Sequence, residues 1–156
     1  MMFERVAIIG LGLIGGSLAA ALRARGLAHT IVAGGRSERT LERGKLLGLI
    51  DEGSTDLAQA VQGADLVFLA VPVSSMADTL AQLAPGLGRH TLITDGGSVK
   101  GRVIEAARRS IPQHLSRFVP GHPIAGKEKS GVDAADARLY EKHRVILTPT
   151  RATDPA

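Results

Sequence analysis

Arg5-Val6-Ala7-Ile8-Ile9-Gly10-Leu11-Gly12-Leu13-Ile14-Gly15 is the stretch whose reading decides the fold. Arg5–Gly10 is a short apolar, β-branched run that reads as a buried strand. Leu13–Arg25 carries a helical pattern, with Gly26 placed to cap its end. Between strand and helix, Gly10, Gly12 and Gly15 fall at the spacing of a dinucleotide-binding loop. The spacing alone is a weak signal, but here it follows a strand and opens a helix, which is the context the loop requires. Gly10 permits the tight turn, Gly12 lets the backbone approach a pyrophosphate, and Gly15 lets the helix pack close to the strand. Leu13 and Ile14 lie in the first helical turn, whose free N–H groups and positive dipole end face the phosphates.

Outward from this unit, strand and helix patterns alternate. His29–Ala33 reads as a second strand and Glu38–Leu47 as a helix with Ser37 as N-cap. Asp65–Val71 is a third buried strand, ended by Pro72. Helix Ser75–Leu83, strand Thr91–Thr94 and helix Val99–Ser110 follow, and Phe118-Val119 and Arg144–Leu147 look like two further strands. Strands separated by helices imply right-handed crossovers, so the fold expected is α/β, a Rossmann-type doubly wound, mostly parallel sheet. Residues 1–150 form the dinucleotide-binding domain. The polar, Pro-containing end, with residues 151–156 at its tip, reads as a linker toward a second domain.

Composition bounds the function. Aromatics are 3% of the 156 residues, so the core must be built from Leu, Ile, Val and Ala, a palette that suits a parallel sheet covered by helices. The absence of cysteine excludes disulfides and thiolate chemistry and agrees with a cytoplasmic protein. No apolar run approaches the roughly 20 residues needed to span a bilayer, so no membrane partner is expected. The net charge of +4 is carried by scattered basic residues without interleaved aromatics. That pattern fits a field attracting small anions better than a nucleic-acid surface.

The end of the second strand bears on cofactor choice. An NAD site usually places a carboxylate there for the adenosine ribose hydroxyls. Here the stretch is Ala33-Gly34-Gly35-Arg36-Ser37, and Glu38 falls in the following helix. Arg36 and Ser37 offer a cation and a hydroxyl that suit a 2′-phosphate, so NADP is favoured over NAD. Val71 and Pro72 close the third strand at the sheet's C-terminal edge, where ligands of open α/β sheets lie, and backbone contacts to the nicotinamide ribose are expected from Val71 to Ser74.

Two further loops leave that edge: Thr94-Asp95-Gly96-Gly97-Ser98-Val99-Lys100 and Pro120-Gly121-His122-Pro123-Ile124-Ala125-Gly126. They bring Ser98 and His122 toward the nicotinamide position, each among small neighbours that let substrate approach. Asp95 is a candidate cap for the helix that follows or a ligand contact, and Lys100 a candidate for loop architecture or the charge field. His29, His90, His114 and His143 are unclustered, and no metal site is expected.

The opening GLGLIGGSLA, the GSVK segment and GHPIAGKEKSG together resemble the prephenate and arogenate (cyclohexadienyl) dehydrogenases of tyrosine biosynthesis, over essentially the whole chain. The resemblance implies an NAD(P)-dependent oxidative decarboxylation of prephenate or arogenate. It implies that His122 takes the proton of the substrate's ring hydroxyl, for which it must be neutral. Ser98 would hydrogen-bond that hydroxyl or the histidine, and Glu128 would act as a gate or polar wall. The family also carries a helical second domain that forms the dimer and supplies cations for the substrate carboxylates. That domain lies outside this sequence, so the chain alone is expected to bind nucleotide, to turn over poorly, and to expose an apolar patch where the helices would pack. Two alternatives share the glycine loop. One is another β-hydroxyacid-type dehydrogenase, which would rely on a lysine of the helical domain; the other is a non-catalytic dinucleotide-binding module.

Overall fold

The computed structural model describes residues 2–155, so Met1 and Ala156, the last residue of the expected linker, lie outside the described residues. Six strands form one parallel sheet in the order β3-β2-β1-β4-β5-β6. They are β1 (Phe3–Ile9), β2 (Ala28–Gly34), β3 (Glu52–Ser54), β4 (Leu66–Leu69), β5 (Leu92–Asp95) and β6 (Phe118–Val119). This is the doubly wound Rossmann arrangement expected from the glycine loop.

Alternation along β1 explains the layers. Ala7 and Ile9 point into a cluster with Leu57, Val61, Leu80, Leu83 and Val103, on the face covered by α3 (Leu57–Val61), α4 (Met76–Leu83) and α5 (Lys100–Ser110). Val6 and Ile8 point the other way, into a cluster with Ala19, Leu22 and Leu41 of α1 (Leu13–Ala24) and α2 (Glu38–Leu46). A strand buried on both faces has no solvent side, which is why Val6–Ile9 is continuously apolar.

Local signals hold at several places. Gly26 adopts φ +62° just past α1, and Ser37 Oγ accepts a hydrogen bond from the Thr40 N–H at 3.2 Å, capping α2. Other expectations need correction. Asp65–Val71 was expected to be the third strand, but β3 and the short α3 precede it. Residues Glu52-Gly53-Ser54 carry no apolar side chain and are strand only because β2 templates them at the sheet edge, Val32 opposite Glu52. The fourth strand also stops at Leu69, although Ala70 N–H still donates to Ile9 O at 2.7 Å. Asp95, expected in the loop after the Thr91–Thr94 strand, is the last residue of β5 and is 1% exposed.

The Arg144–Leu147 strand forms as Val145–Leu147 (β8) but stays outside the main sheet. It pairs antiparallel with Gly121–Pro123 (β7), a segment expected to be loop. Toward the end of the chain, Thr153 Oγ1 donates to Phe118 O at 3.0 Å and Asp154 N–H to Ser116 O at 2.8 Å. The end of the described chain is thereby tied back to β6.

Candidate active site

The parallel register brings the C-terminal ends of four strands level: Ile9 lies opposite both Gly34 and Leu69, and Leu69 opposite Asp95. Four loops therefore leave one edge, carrying Gly10–Gly12, Gly35–Ser37, Ala70–Pro72 and Gly96–Val99.

The three loop glycines differ in what they do locally. Gly10 sits at φ +97°, and a side chain there would meet Ala70 O at 2.4 Å. Gly15 is buried, and a Cβ on it would lie 2.1 Å from Gly10 O and 2.9 Å from Ile8 Cγ2. Gly12 is the opposite case, since a Cβ there would meet nothing within 4 Å. Gly10 thus admits the Ala70–Val71 segment beyond β4, Gly15 lets α1 lie close against the end of β1, and Gly12 borders open space. Gly12 is also the N-cap of α1 and brings no side-chain hydrogen bond, so the first-turn N–H groups have no capping partner from it.

That space is a cleft of about 400 Å³ lined by Gly10, Gly12, Arg36, Ser37, Val71 and Pro72 among others. Arg36 is exposed and has no ion-pair partner among the described residues. Ser37 Oγ is engaged as an acceptor by its cap, which leaves its O–H free to donate. Sequence reasoning missed four further lining residues, Thr40, Thr55, Asp78 and Gln82. Asp78 and Gln82 come from α4, whose helical spacing marks them as one face but not as facing a ligand. The open space at Gly12, the uncapped helix end and the free Arg36 together fit a dinucleotide phosphate chain.

Leu13, Ile14, Gly15 and Ser98 do not line this cleft. Ile14 serves a different contact, its carbonyl accepting from the Tyr140 hydroxyl. Burial pushes the Tyr140 phenol well above its ordinary value, so it remains a protonated donor. With Asp136 N–H donating to Ser17 Oγ at 2.9 Å and Arg43 paired to Asp133 at 2.7 Å, it pins the segment after β7 onto α1 and α2.

The candidate chemistry lies on the neighbouring loops. Ser98 is exposed, His122 is half-buried, and Glu128 is exposed on the segment beyond β7. No hydrogen bond joins any two of these side chains among the described residues. Their loops, however, share one buried carboxylate. Asp95 Oδ2 accepts from Gly97 N–H at 2.9 Å and Oδ1 from Gly121 N–H at 3.0 Å. Lys100 Nζ donates both to Asp95 Oδ2 and to Gly121 O. Asp95 therefore caps no helix: α5 has Val99 as N-cap with no side-chain hydrogen bond.

The β7–β8 register identifies a further residue. His122 lies opposite Ile146, and Ile124 N–H donates to Arg144 O at 2.8 Å. Directly opposed side chains share a face and alternate along the strand, so His122, Ile124, Arg144 and Ile146 project together. Arg144 is exposed and has no ion-pair partner among the described residues. Ile124 and Ile146 on that face, and Val145 and Leu147 on the opposite face, are each more than 40% exposed, so the β7–β8 ribbon presents apolar surface on both sides.

Residues 18–156 match the family described as "Prephenate dehydrogenase, nucleotide-binding domain". The cyclohexadienyl dehydrogenase of Zymomonas mobilis is 43% identical over 97% of the chain and 51% of that protein. The prephenate dehydrogenase of Bacillus subtilis is 38% identical over 98% of the chain and 41% of its own length. Among solved structures, the Aquifex aeolicus prephenate dehydrogenase in complex with hydroxyphenyl propionate and NAD+ superposes with a TM-score of 0.87 at 38% identity, covering 97% of this chain and 52% of that one. Synechocystis arogenate dehydrogenase gives 0.88 at 37%, with 97% and 52% covered. The chain thus spans about half the length of these relatives. On these matches and on its sheet order, the chain belongs to the prephenate and arogenate dehydrogenase family, as its nucleotide-binding domain.

Proposed function

We propose that this domain supplies the cofactor cradle and the proton acceptor for the NAD(P)-dependent oxidative decarboxylation of prephenate or arogenate. The observation that carries the reading is the convergence of the Ser98 loop and the His122 strand on one carboxylate at the same sheet edge as the glycine loop. A nicotinamide dinucleotide, when bound, supplies the hydride acceptor. His122 takes the proton of the substrate's ring hydroxyl while the ring carboxylate departs as carbon dioxide, and aromatisation drives the step. Ser98 orients that hydroxyl, and Glu128 forms a polar wall. The protein's work is chiefly orientation and acceptance of one proton.

Substrate oxidation is expected from a polypeptide that also carries the relatives' second half, and little from residues 1–156 alone. The exposed Ile124 and Ile146 beside His122, with Val145 and Leu147 on the other face of the same ribbon, favour this, since a second, helical domain that also forms a homodimer would cover apolar surface there. We read the setting as cytoplasmic; no helix among the described residues is long and apolar enough to cross a membrane. Reduction of NAD+ or NADP+ followed at 340 nm with prephenate and with arogenate tests the assignment; a two-half protein inert toward both would end it.

Arg144 extends the reading to the substrate's anionic end. It shares a face with His122, one ladder position along, at about 7–8 Å for such diagonal neighbours. Arg144→Gln is expected to raise KM for prephenate roughly 10- to 100-fold while cofactor KM stays put, because one charge-assisted hydrogen bond of about 1.5–3 kcal/mol is lost. An unchanged prephenate KM would remove Arg144 from the site.

For the cofactor we propose NADP over NAD. The end of β2 offers Arg36 and Ser37 and no carboxylate, although the Aquifex relative was solved with NAD+. Arg36→Ala is expected to weaken NADPH binding by about 1–3 kcal/mol and hardly change NADH, as a charge-assisted contact to a 2′-phosphate is lost. Fluorescence titration with each cofactor measures it, and equal losses would sink the preference.

A further inference from the structure

Asp95 and Lys100 take no chemical part in the step above, yet they form the most buried ion pair among the described residues. The Asp95 side chain is 0% exposed and that of Lys100 16%. A buried carboxylate is tolerated only when its lone pairs are filled, and here two backbone N–H groups and one ammonium fill them.

Lys100 also occupies an unfavourable place. It is the first residue of α5, where the helix dipole opposes a cation and where an acidic residue would ordinarily be preferred. Its presence is accounted for by the two acceptors it reaches, Asp95 and the carbonyl of Gly121. Both backbone polar groups of Gly121, the residue before His122, are therefore held by this pair. The same carboxylate holds Gly97, the residue before Ser98. Close approach of the two segments is built in, because a Cβ on Gly121 would lie 2.9 Å from Asp95 O.

We infer that the Asp95–Lys100 pair is a positioning device that sets the Ser98 loop and the His122 strand at a fixed separation without touching substrate or cofactor. This rests on the reading of His122 as the proton acceptor. A helix-packing role alone would need no bond to Gly121, which lies 21 residues beyond Lys100 and outside α5. Asp95→Asn inverts part of the pattern, since its amide NH2 must face a donor where an acceptor stood. Lys100→Ala leaves the carboxylate without its cation and frees the Gly121 carbonyl.

Two measurements test the inference. In the 156-residue chain, amide hydrogen exchange in Lys100→Ala is expected to accelerate roughly tenfold or more at Gly97 and Gly121, with the amides of β1 within about twofold. Equal acceleration everywhere would make the pair a general stability element and overturn the proposal. In a polypeptide that turns over prephenate, Lys100→Ala and Asp95→Asn are expected to lower kcat about 10- to 100-fold with cofactor KM within about twofold, as misplacement of a reacting group does. Added methylammonium is expected to restore part of the Lys100→Ala rate. Wild-type kcat in both variants, beside a His122→Asn control that has collapsed, would overturn the positioning role alone. A His122→Asn control that kept its rate would instead bring down the proton-acceptor reading, while the exchange experiment still decides whether the pair holds the two loops.

Discussion

Replacing His122 with Asn is expected to lower kcat for prephenate oxidation roughly 10²- to 10⁴-fold, the usual contribution of a positioned general base. Asn keeps the size and a hydrogen-bonding edge but cannot take up a proton. Cofactor affinity is expected to stay within about twofold, because His122 lies on β7 and is absent from the lining of the dinucleotide cleft. Two features of the backbone make the substitution clean. Gly121 N–H is bound to Asp95 Oδ1 at 3.0 Å, and the strand is held in register against β8, neither through the imidazole. A variant that loses turnover is therefore not expected to have lost the strand. The measurement is single-turnover hydride transfer alongside a cofactor titration. A retained rate would take His122 out of the mechanism, and a parallel loss of cofactor affinity would mean that the variant had disturbed the cleft rather than the chemistry.

What could be read from the sequence follows the range of the interactions involved. The β1–loop–α1 unit depends mostly on contacts among near neighbours, so Gly10, Gly12 and Gly15 declare it once the strand before them and the helix after them are read with them. Ser37 as a cap and Gly26 past a helix end are local in the same way. The elements that escaped are those whose cause lies elsewhere in the chain. Glu52–Ser54 is a strand because β2 is beside it, and Gly121–Pro123 because Val145–Leu147 folds back against it. Asp95 reads as a helix cap only while its partner 26 residues away is out of view. Lys100 as loop architecture came closer, because a cation at a helix N-terminus already needs a reason. Arg36 and Ser37 draw notice in the sequence through an absent carboxylate and do line the cleft, whereas Asp78 and Gln82 needed the packing of α4 to be seen there. Arg144 needed the β7–β8 register. Motifs thus suggest which residues a site would use, and only tertiary pairing shows how the loops that carry them are held.

The glycine loop gives the sharpest separation of folding from binding. Gly15→Ala is expected to destabilise the domain by about 1–3 kcal/mol or somewhat more, since its methyl would have to displace backbone in a packed interior. The obstacle is the Gly10 carbonyl oxygen at 2.1 Å, with Ile8 Cγ2 behind it at 2.9 Å. Relief requires α1 to move off β1, and with it the helix end that faces the cleft, so dinucleotide binding is expected to fall as well. Gly12→Ala is expected to behave differently. Its φ of −105° lies outside the left-handed region, and its Cβ would enter space with no atom within 4 Å. Stability should then change by less than about 0.5 kcal/mol, as for substitutions away from packed features. Affinity for NADPH and NADH should nevertheless drop about 10-fold or more, because the methyl occupies volume that a pyrophosphate would need. Urea midpoints, and fluorescence titrations with each cofactor, on the two variants give the comparison required. Should Gly12→Ala bind both cofactors normally, the open space beside it is not where the phosphates lie; should Gly15→Ala unfold at the wild-type midpoint, the close helix–strand contact is not what the glycine is for.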